Sequence, residues 1–365
     1  MQLDFFPSKT LTGYLAKTFV VRIAAVLVML VMVLLMLDLL SNSGKVLAAP
    51  GNGQAEVLTY VSLRAPQLIA RFLPYSVLLA SILTLATLNQ NSEVIAMKAA
   101  GLSAHQVLAP LLLTALVTSG LSFAFNERVL TRANATLSAW QANDYAKMPT
   151  ASGAKANVYV TDGTNILYAA NASGTGAAMR LEGVTYYDRA PSGAIATETK
   201  AASATFASPG WKLTDATRFE VSTAETTSLP SVVVGQDLTP EQIELGSVNP
   251  DGQSLMELSR SIADYREAGR RTAELEAKWW HKISGPLSAA LMPLLGAVAA
   301  FGLARSGQLF LRAIIGMALG FAYFVVDNAA LAMGNFGGYP PFLAAWAPFM
   351  LFLLIGETVL IRTEE

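Results

Sequence analysis

Six windows of about twenty apolar residues constrain this chain more than any other feature, because a helix needs that length to cross the roughly 30 Å hydrocarbon core of a bilayer. They cover approximately 19–40, 72–88, 107–125, 283–303, 309–333 and 342–361. Backbone N–H and C=O groups find no water inside lipid, so each window is predicted to be a helix. The first follows Lys9 and Lys17, is too long for a signal-peptide core, and has no small-residue cleavage site after it. It is expected to stay as a span.

Composition narrows the chemistry. Only 14% of residues are charged, against about a quarter in soluble domains, and a net charge of -1 argues against nucleic acid as a partner. The absence of cysteine removes disulfides, thiolate catalysis, zinc fingers and iron–sulfur ligation together. Two histidines, His105 and His281, leave little for metal binding or base catalysis.

Cytoplasmic loops carry an excess of Lys and Arg. Lys9, Lys17 and Arg22 at the entry to the first window, Lys98 after the second, Arg305 and Arg312 around the fourth-to-fifth turn, and Arg362 after the sixth share one side if both termini are inside. Lys45, Arg64 and Arg71 fall on the other side and ask for a separate reason.

The stretch between the third and fourth windows, about 127–280, is rich in Thr, Ala, Ser, Gly and Asp and is expected to face outward. Alternating runs at 157–161, 165–169, 180–187, 217–221 and 231–234 are separated by Asp162-Gly163, Pro191-Ser192-Gly193 and Pro209-Gly210. Such spacing predicts a small antiparallel β-domain. A helix follows: Ser254 precedes Leu255, Leu258, Ile262 and Tyr265 at helical spacing, with Glu257 placed for a capping box. Trp279 and Trp280 then suit a membrane interface.

Three spans, an exported β-domain and three further spans form an uncommon order, and particular segments give it an owner. Leu11-x-x-Tyr14-Leu15-x-Lys17-x-Phe19, the stretch from Pro66 to Pro74 leading into Asn91-Ser92-Glu93-Val94-Ile95-Ala96-Met97-Lys98-Ala99-Ala100-Gly101, Trp280-x-Lys282-Ile283-x-x-Pro286-Leu287-Ser288, Phe324-Val325-Val326-Asp327 and Tyr339-Pro340-Pro341 together resemble the LptF/LptG lipopolysaccharide export permeases. The Asp327 and Pro340-Pro341 region is closer to the LptG branch. The resemblance implies an α-helical polytopic protein of the bacterial inner membrane. Its helices 1–3 would lie in 1–126, a periplasmic jellyroll-like domain in 127–280 and helices 4–6 in 281–365. It implies a permease that binds no cofactor itself, with ATP and magnesium held by a cytoplasmic LptB-like ATPase dimer. Further implied partners are an LptF-like sister permease, a single-span LptC-like protein, an LptA-like periplasmic bridge and lipopolysaccharide.

The residues themselves admit plainer readings beside these. In 90–101, Asn91 or Ser92 can cap a helix, Glu93 faces its favourable N-terminal dipole and Gly101 ends it. On the resemblance the same segment is the coupling helix, with Ser92, Glu93, Val94, Met97 and Lys98 contacting the ATPase. Lys45, Arg64, Arg71, Arg128 and Arg132 either snorkel to phospholipid headgroups or hold lipopolysaccharide phosphates. Here the chain departs from the family, carrying Ser41 and Asn42 where members resembling LptG often have lysines. Asp38 lies near a span end within reach of water, whereas Asp327 lies deeper and needs a cavity or a polar partner.

No catalytic or metal-binding set is expected. Gly44-Lys45-Val46 does not complete a phosphate loop, and neither His-Glu-x-x-His nor Gly-x-Ser-x-Gly occurs. A Ser/Lys dyad, being a spatial pairing, stays open, and His281 reads as an interfacial anchor. Two other classes also stand: a receptor or scaffold with an exported β-domain, and a different ATP-driven permease of lipoprotein or cell-division type. The second usually places its exported domain after the first span.

Overall fold

The computed structural model describes residues 6–142, 144–146, 155–162, 165–174, 176–190, 193–240, 242–243, 249–267, 269–301 and 309–362. Gly163, Pro191, Ser192, Arg305 and the end of the fourth window lie outside them, as does the side chain of Arg312. The chain divides into two compact units, one of Met1–Ser41, Val61–Asn134 and Pro250–Glu365, the other of Asn42–Tyr60 and Ala135–Asn249.

Helices α1 (Lys9–Ala48) and α2 (Gln54–Gln90) both outrun their apolar windows, and α2 carries Pro66 and Pro74 within it. A seven-residue helix α3 (Glu93–Ala99) follows, then α4 (Ala104–Phe125). The third window was expected to end at 125. Instead the helix passes through a π-helical turn at Asn126–Leu130 into α5 (Thr131–Ala142). Asn126, Glu127 and Arg128 end the apolar run without ending the helix, because polarity on its own breaks no backbone hydrogen bond. The return comprises α6 (Leu255–Glu267), α7 (Ala273–Phe301), α8 (Leu309–Asn335) and α9 (Pro341–Arg362). Among the described residues five helices are long and apolar enough to cross a membrane. The fourth window falls on α7, which is helical throughout 273–301.

One apolar cluster unites these helices. Leu15, Phe19 and Ile23 of α1, Val77 and Leu85 of α2, Leu108 and Leu111 of α4, Met292 and Leu295 of α7, Tyr323 of α8 and Phe352 of α9 all belong to it. Small residues permit the close approach: a Cβ added at Gly296 would stand 2.9 Å from Ser81 Cβ, and one at Gly334 would stand 2.5 Å from Ala344 Cβ.

Strands β1 (Lys155–Asp162), β2 (Asn165–Ser173), β3 (Arg180–Arg189), β4 (Ile195–Phe206), β5 (Trp211–Glu220) and β6 (Glu225–Val234) form one antiparallel sheet in chain order. The β-domain is therefore present. Its described connectivity is a meander, however, without the crossovers that define the expected jellyroll. Strand β4 was missed because its inward residues, Thr199, Ala201 and Ala204, are too small or too polar to mark a hydrophobic alternation. Its pairing partners β3 and β5 supply the bulk instead, with Leu181, Trp211 and Leu213 buried in the same core.

The helix start at Ser254 takes the expected form. Ser254 N–H donates to Glu257 Oε2 at 2.8 Å while Glu257 N–H donates to Ser254 Oγ at 3.3 Å. Ser254 Oγ also donates to Glu257 Oε2 at 2.9 Å, and the two bonds onto that oxygen, the one from the Ser254 backbone being the larger influence, hold the Glu257 carboxyl below the usual carboxylate range. A depressed folded pKa adds stability above the unfolded value of about 4.3 and loses it as pH falls through the folded value. Amide protection at the start of α6 should therefore hold from pH 7 to 5 and fall below about 4. Ser254→Ala should weaken the helix start by about 1 kcal/mol at neutral pH. Hydrogen exchange across 254–260 measures both, and protection unchanged in either case would mean the box carries no stability.

Candidate functional site

Geometry around α3 begins with its brevity. Seven residues are too few for a helix to hold itself in water, so position comes from outside. Val94 and Met97 are buried in the helical core, where Leu15, Phe19 and Leu88 also lie. Ser92 occupies the N-cap with φ 60° and makes no side-chain cap bond, contrary to the expected capping. Asn91 does not cap either: its Nδ2 donates to Glu93 Oε1 at 3.3 Å. Glu93 Oε1 also accepts from Tyr14 Oη at 3.4 Å. Gly101 does end the segment as expected, at φ +87°, with Gly101 N–H on Lys98 O and Leu102 N–H on Met97 O. Ser92, Ile95 and Lys98 are exposed beside Glu93, so polar and apolar groups share one short surface.

The five basic residues divide differently. Arg64 does not stand open: its Nε and Nη2 donate to Asp38 Oδ1 at 3.0 and 2.8 Å, and Nη1 donates to Gln67 Oε1 at 2.6 Å. Asp38 is thus satisfied by a guanidinium from α2, where solvent alone was expected. From Gln67 the chain of bonds continues to Asn134 Oδ1 at 2.8 Å, and Asn134 Nδ2 donates to Asp251 O at 2.9 Å. Arg71, Arg128 and Arg132 are exposed on the same unit, while Lys45, also exposed, belongs to the other. Arg64 and Arg71 are seven residues apart on α2, two helical turns along one face.

Asp327 has the polar partner its depth demanded. Only 7% exposed on α8, it meets His281 Nε2 of α7 through Oδ2 at 3.1 Å. His281 is therefore more than an interfacial anchor, since it answers a buried carboxylate 46 residues away in sequence. Nothing at motif spacing could have revealed that pairing. Trp279 and Trp280 beside it pack edge to face at 4.7 Å, and Trp279 Nε1 donates to Ser259 Oγ at 2.8 Å.

Other polar ties had no sequence signal. Glu127 Oε2 accepts from Leu255 N–H at 2.8 Å while its Oε1 lies 3.9 Å from Lys282 Nζ, joining the π-turn to α6 and α7. Lys278 Nζ reaches Asp251 Oδ1 at 3.0 Å. His105 Nε2 lies 3.5 Å from Glu357 Oε2. Among the described residues no three His, Asp or Glu side chains are grouped to hold a metal.

These features stand on a chain with extensive likeness to known proteins. It is 26% identical over 368 aligned residues to the lipopolysaccharide export system permease protein LptG of Escherichia coli K12, covering 98% of this chain and 99% of that one. It is 24% identical over 367 residues to the LptG protein of Haemophilus influenzae, with the same coverage. The family description "Lipopolysaccharide export system permease LptF/LptG" matches residues 13–362. Matched through both its helices and its sheet, the chain belongs to the LptF/LptG family of lipopolysaccharide export permeases.

Proposed function

We propose that this chain is one permease subunit of an ATP-driven exporter that lifts lipopolysaccharide out of the outer leaflet of the bacterial inner membrane. The observation that carries the reading is the family match from residue 13 to 362, which leaves neither helices nor sheet unaccounted for. Six helices span the membrane, α7 supplying the fourth. Both termini face the cytoplasm and the β-domain faces the periplasm. With an LptF-like sister the spans enclose a cavity open sideways to lipid at α1 and α8. Acyl chains pack on its apolar wall, while the anionic head meets basic residues drawn from the exposed Arg71, Arg128 and Arg132, since guanidinium groups suit phosphate oxygens.

The chain hydrolyses no ATP in this scheme. Nucleotide and magnesium are held by a cytoplasmic LptB-like dimer, whose closure pushes on Glu93 and the exposed residues of α3. That movement narrows the cavity, and an LptC-like protein and an LptA-like bridge receive the lipid from the β-domain.

Native mass spectrometry on the full chain, extracted in mild detergent from its own membranes, tests the assembly. The expected result is one similarly sized permease, two ATPase subunits and bound lipopolysaccharide. A lone chain or homodimer, under conditions that preserve a control transporter, would overturn it in favour of a receptor.

A further inference from the structure

Tyr14 is an unusual neighbour for Glu93, lying 79 residues earlier near the start of α1. Leu11, Leu15 and Phe19 recur at four-residue spacing and turn one helical face into the core that also buries Val94 and Met97. Tyr14 stands one position off that face, 47% exposed, with its hydroxyl on Glu93 Oε1. Eight residues on, Arg22 Nη1 donates to Leu83 O of α2 at 2.9 Å. The first turns of α1 are thereby joined to α3 at one point and to α2 at another.

This arrangement fixes a carboxylate that the local backbone leaves loose. Glu93 opens a seven-residue helix whose N-cap residue sits at positive φ without a side-chain bond. A free glutamate samples several rotamers, and each must be given up on docking. Tyr14 Oη and Asn91 Nδ2 converge on the same oxygen, Oε1. Oε2 is left for an incoming donor, because a carboxylate has about four lone-pair sites. The ring also ties any displacement of Glu93 to α1.

We propose that Tyr14 is a positioning residue for ATPase coupling: its hydroxyl orients the Glu93 carboxylate toward the partner and makes α1 move with it. The inference rests on Glu93 being the coupling contact. A positioning role predicts dependence on that carboxylate, which a purely structural role does not.

The test is a double-mutant cycle on the complete permease complex, using the ATPase subunit released from the wild-type assembly as the probe. Tyr14→Phe, which keeps the ring, is expected to weaken ATPase association three- to tenfold with no change in melting temperature. In a Glu93→Gln background the same substitution should have less than a twofold further effect. Equal losses in both backgrounds would overturn the proposal by making Tyr14 structural, and no loss in the wild-type background would overturn it directly. Glu93→Gln and Glu93→Lys that both leave association intact would show a different failure, that of the coupling reading itself, and the proposal would fall with it.

Discussion

Replacing Glu93 with lysine should remove the ATPase subunits from the purified complex while leaving the permease folded. The asymmetry follows from the two energies involved. Within the chain, a lysine at the start of α3 opposes the helix dipole, which costs about 0.3–1 kcal/mol at an exposed site. It also forfeits the long Tyr14 and Asn91 bonds at 3.4 and 3.3 Å, both between exposed groups. On the proposed coupling, the same substitution sets a cation where the ATPase would meet a carboxylate. Loss of a buried, hydrogen-bonded charge pair there costs about 2–5 kcal/mol, at least a thirtyfold fall in association. Native mass spectrometry gives the ratio of ATPase to permease, and a melting curve verifies the fold. An unchanged ratio would remove α3 from the coupling role.

How much of this was visible before the fold depends on how far apart the interacting residues lie. Helices announce themselves through local hydropathy, so the windows at 72–88 and 107–125 fall inside α2 and α4. Their ends were misplaced wherever polarity stood in for helix termination: Asn126 and Glu127 closed the window, yet the backbone continued through a π-turn to Ala142. The Ser254 and Glu257 box was legible because its partners are three residues apart. Its counterpart at Ser103, where Gln106 completes a capping box before α4, has the same three-residue spacing. Candidate charges could be named, though their partners could not. Arg64 finds Asp38 across 26 residues and His281 finds Asp327 across 46, distances over which spacing carries no signal. The demand for a partner was nevertheless readable, since a carboxylate at the depth of Asp327 is costly alone.

In the β-domain, Trp211→Ala should produce the largest loss of stability of any single truncation. Trp211 is fully buried where β5 begins, paired with Phe206 of β4 on one side and Val234 of β6 on the other. Its ring lies 5.5 Å from that of Phe206, and Nε1 donates to Leu238 O at 3.1 Å. Truncation empties the space between three strands and leaves a buried carbonyl unpaired, together about 3–5 kcal/mol. A domain held by about 5–15 kcal/mol has little margin after that loss. Trp211→Phe keeps most of the ring and should cost less, about 1–3 kcal/mol for the carbonyl left unpaired. The consequence reaches the sheet edge. Strand β6 is an outer strand whose Pro230 has no N–H, and across from it Asp215 bends to φ 53° between the pairs Thr214 with Ser231 and Ala216 with Leu229. An edge interrupted at its middle in this way loses ladder bonds there and leans the more on the Trp211 anchor at its end. Limited proteolysis of the full chain should accordingly cut the alanine variant within 211–234 well before the wild type, with the phenylalanine variant between them. Identical cleavage rates for all three would mean that the anchor does not hold this edge.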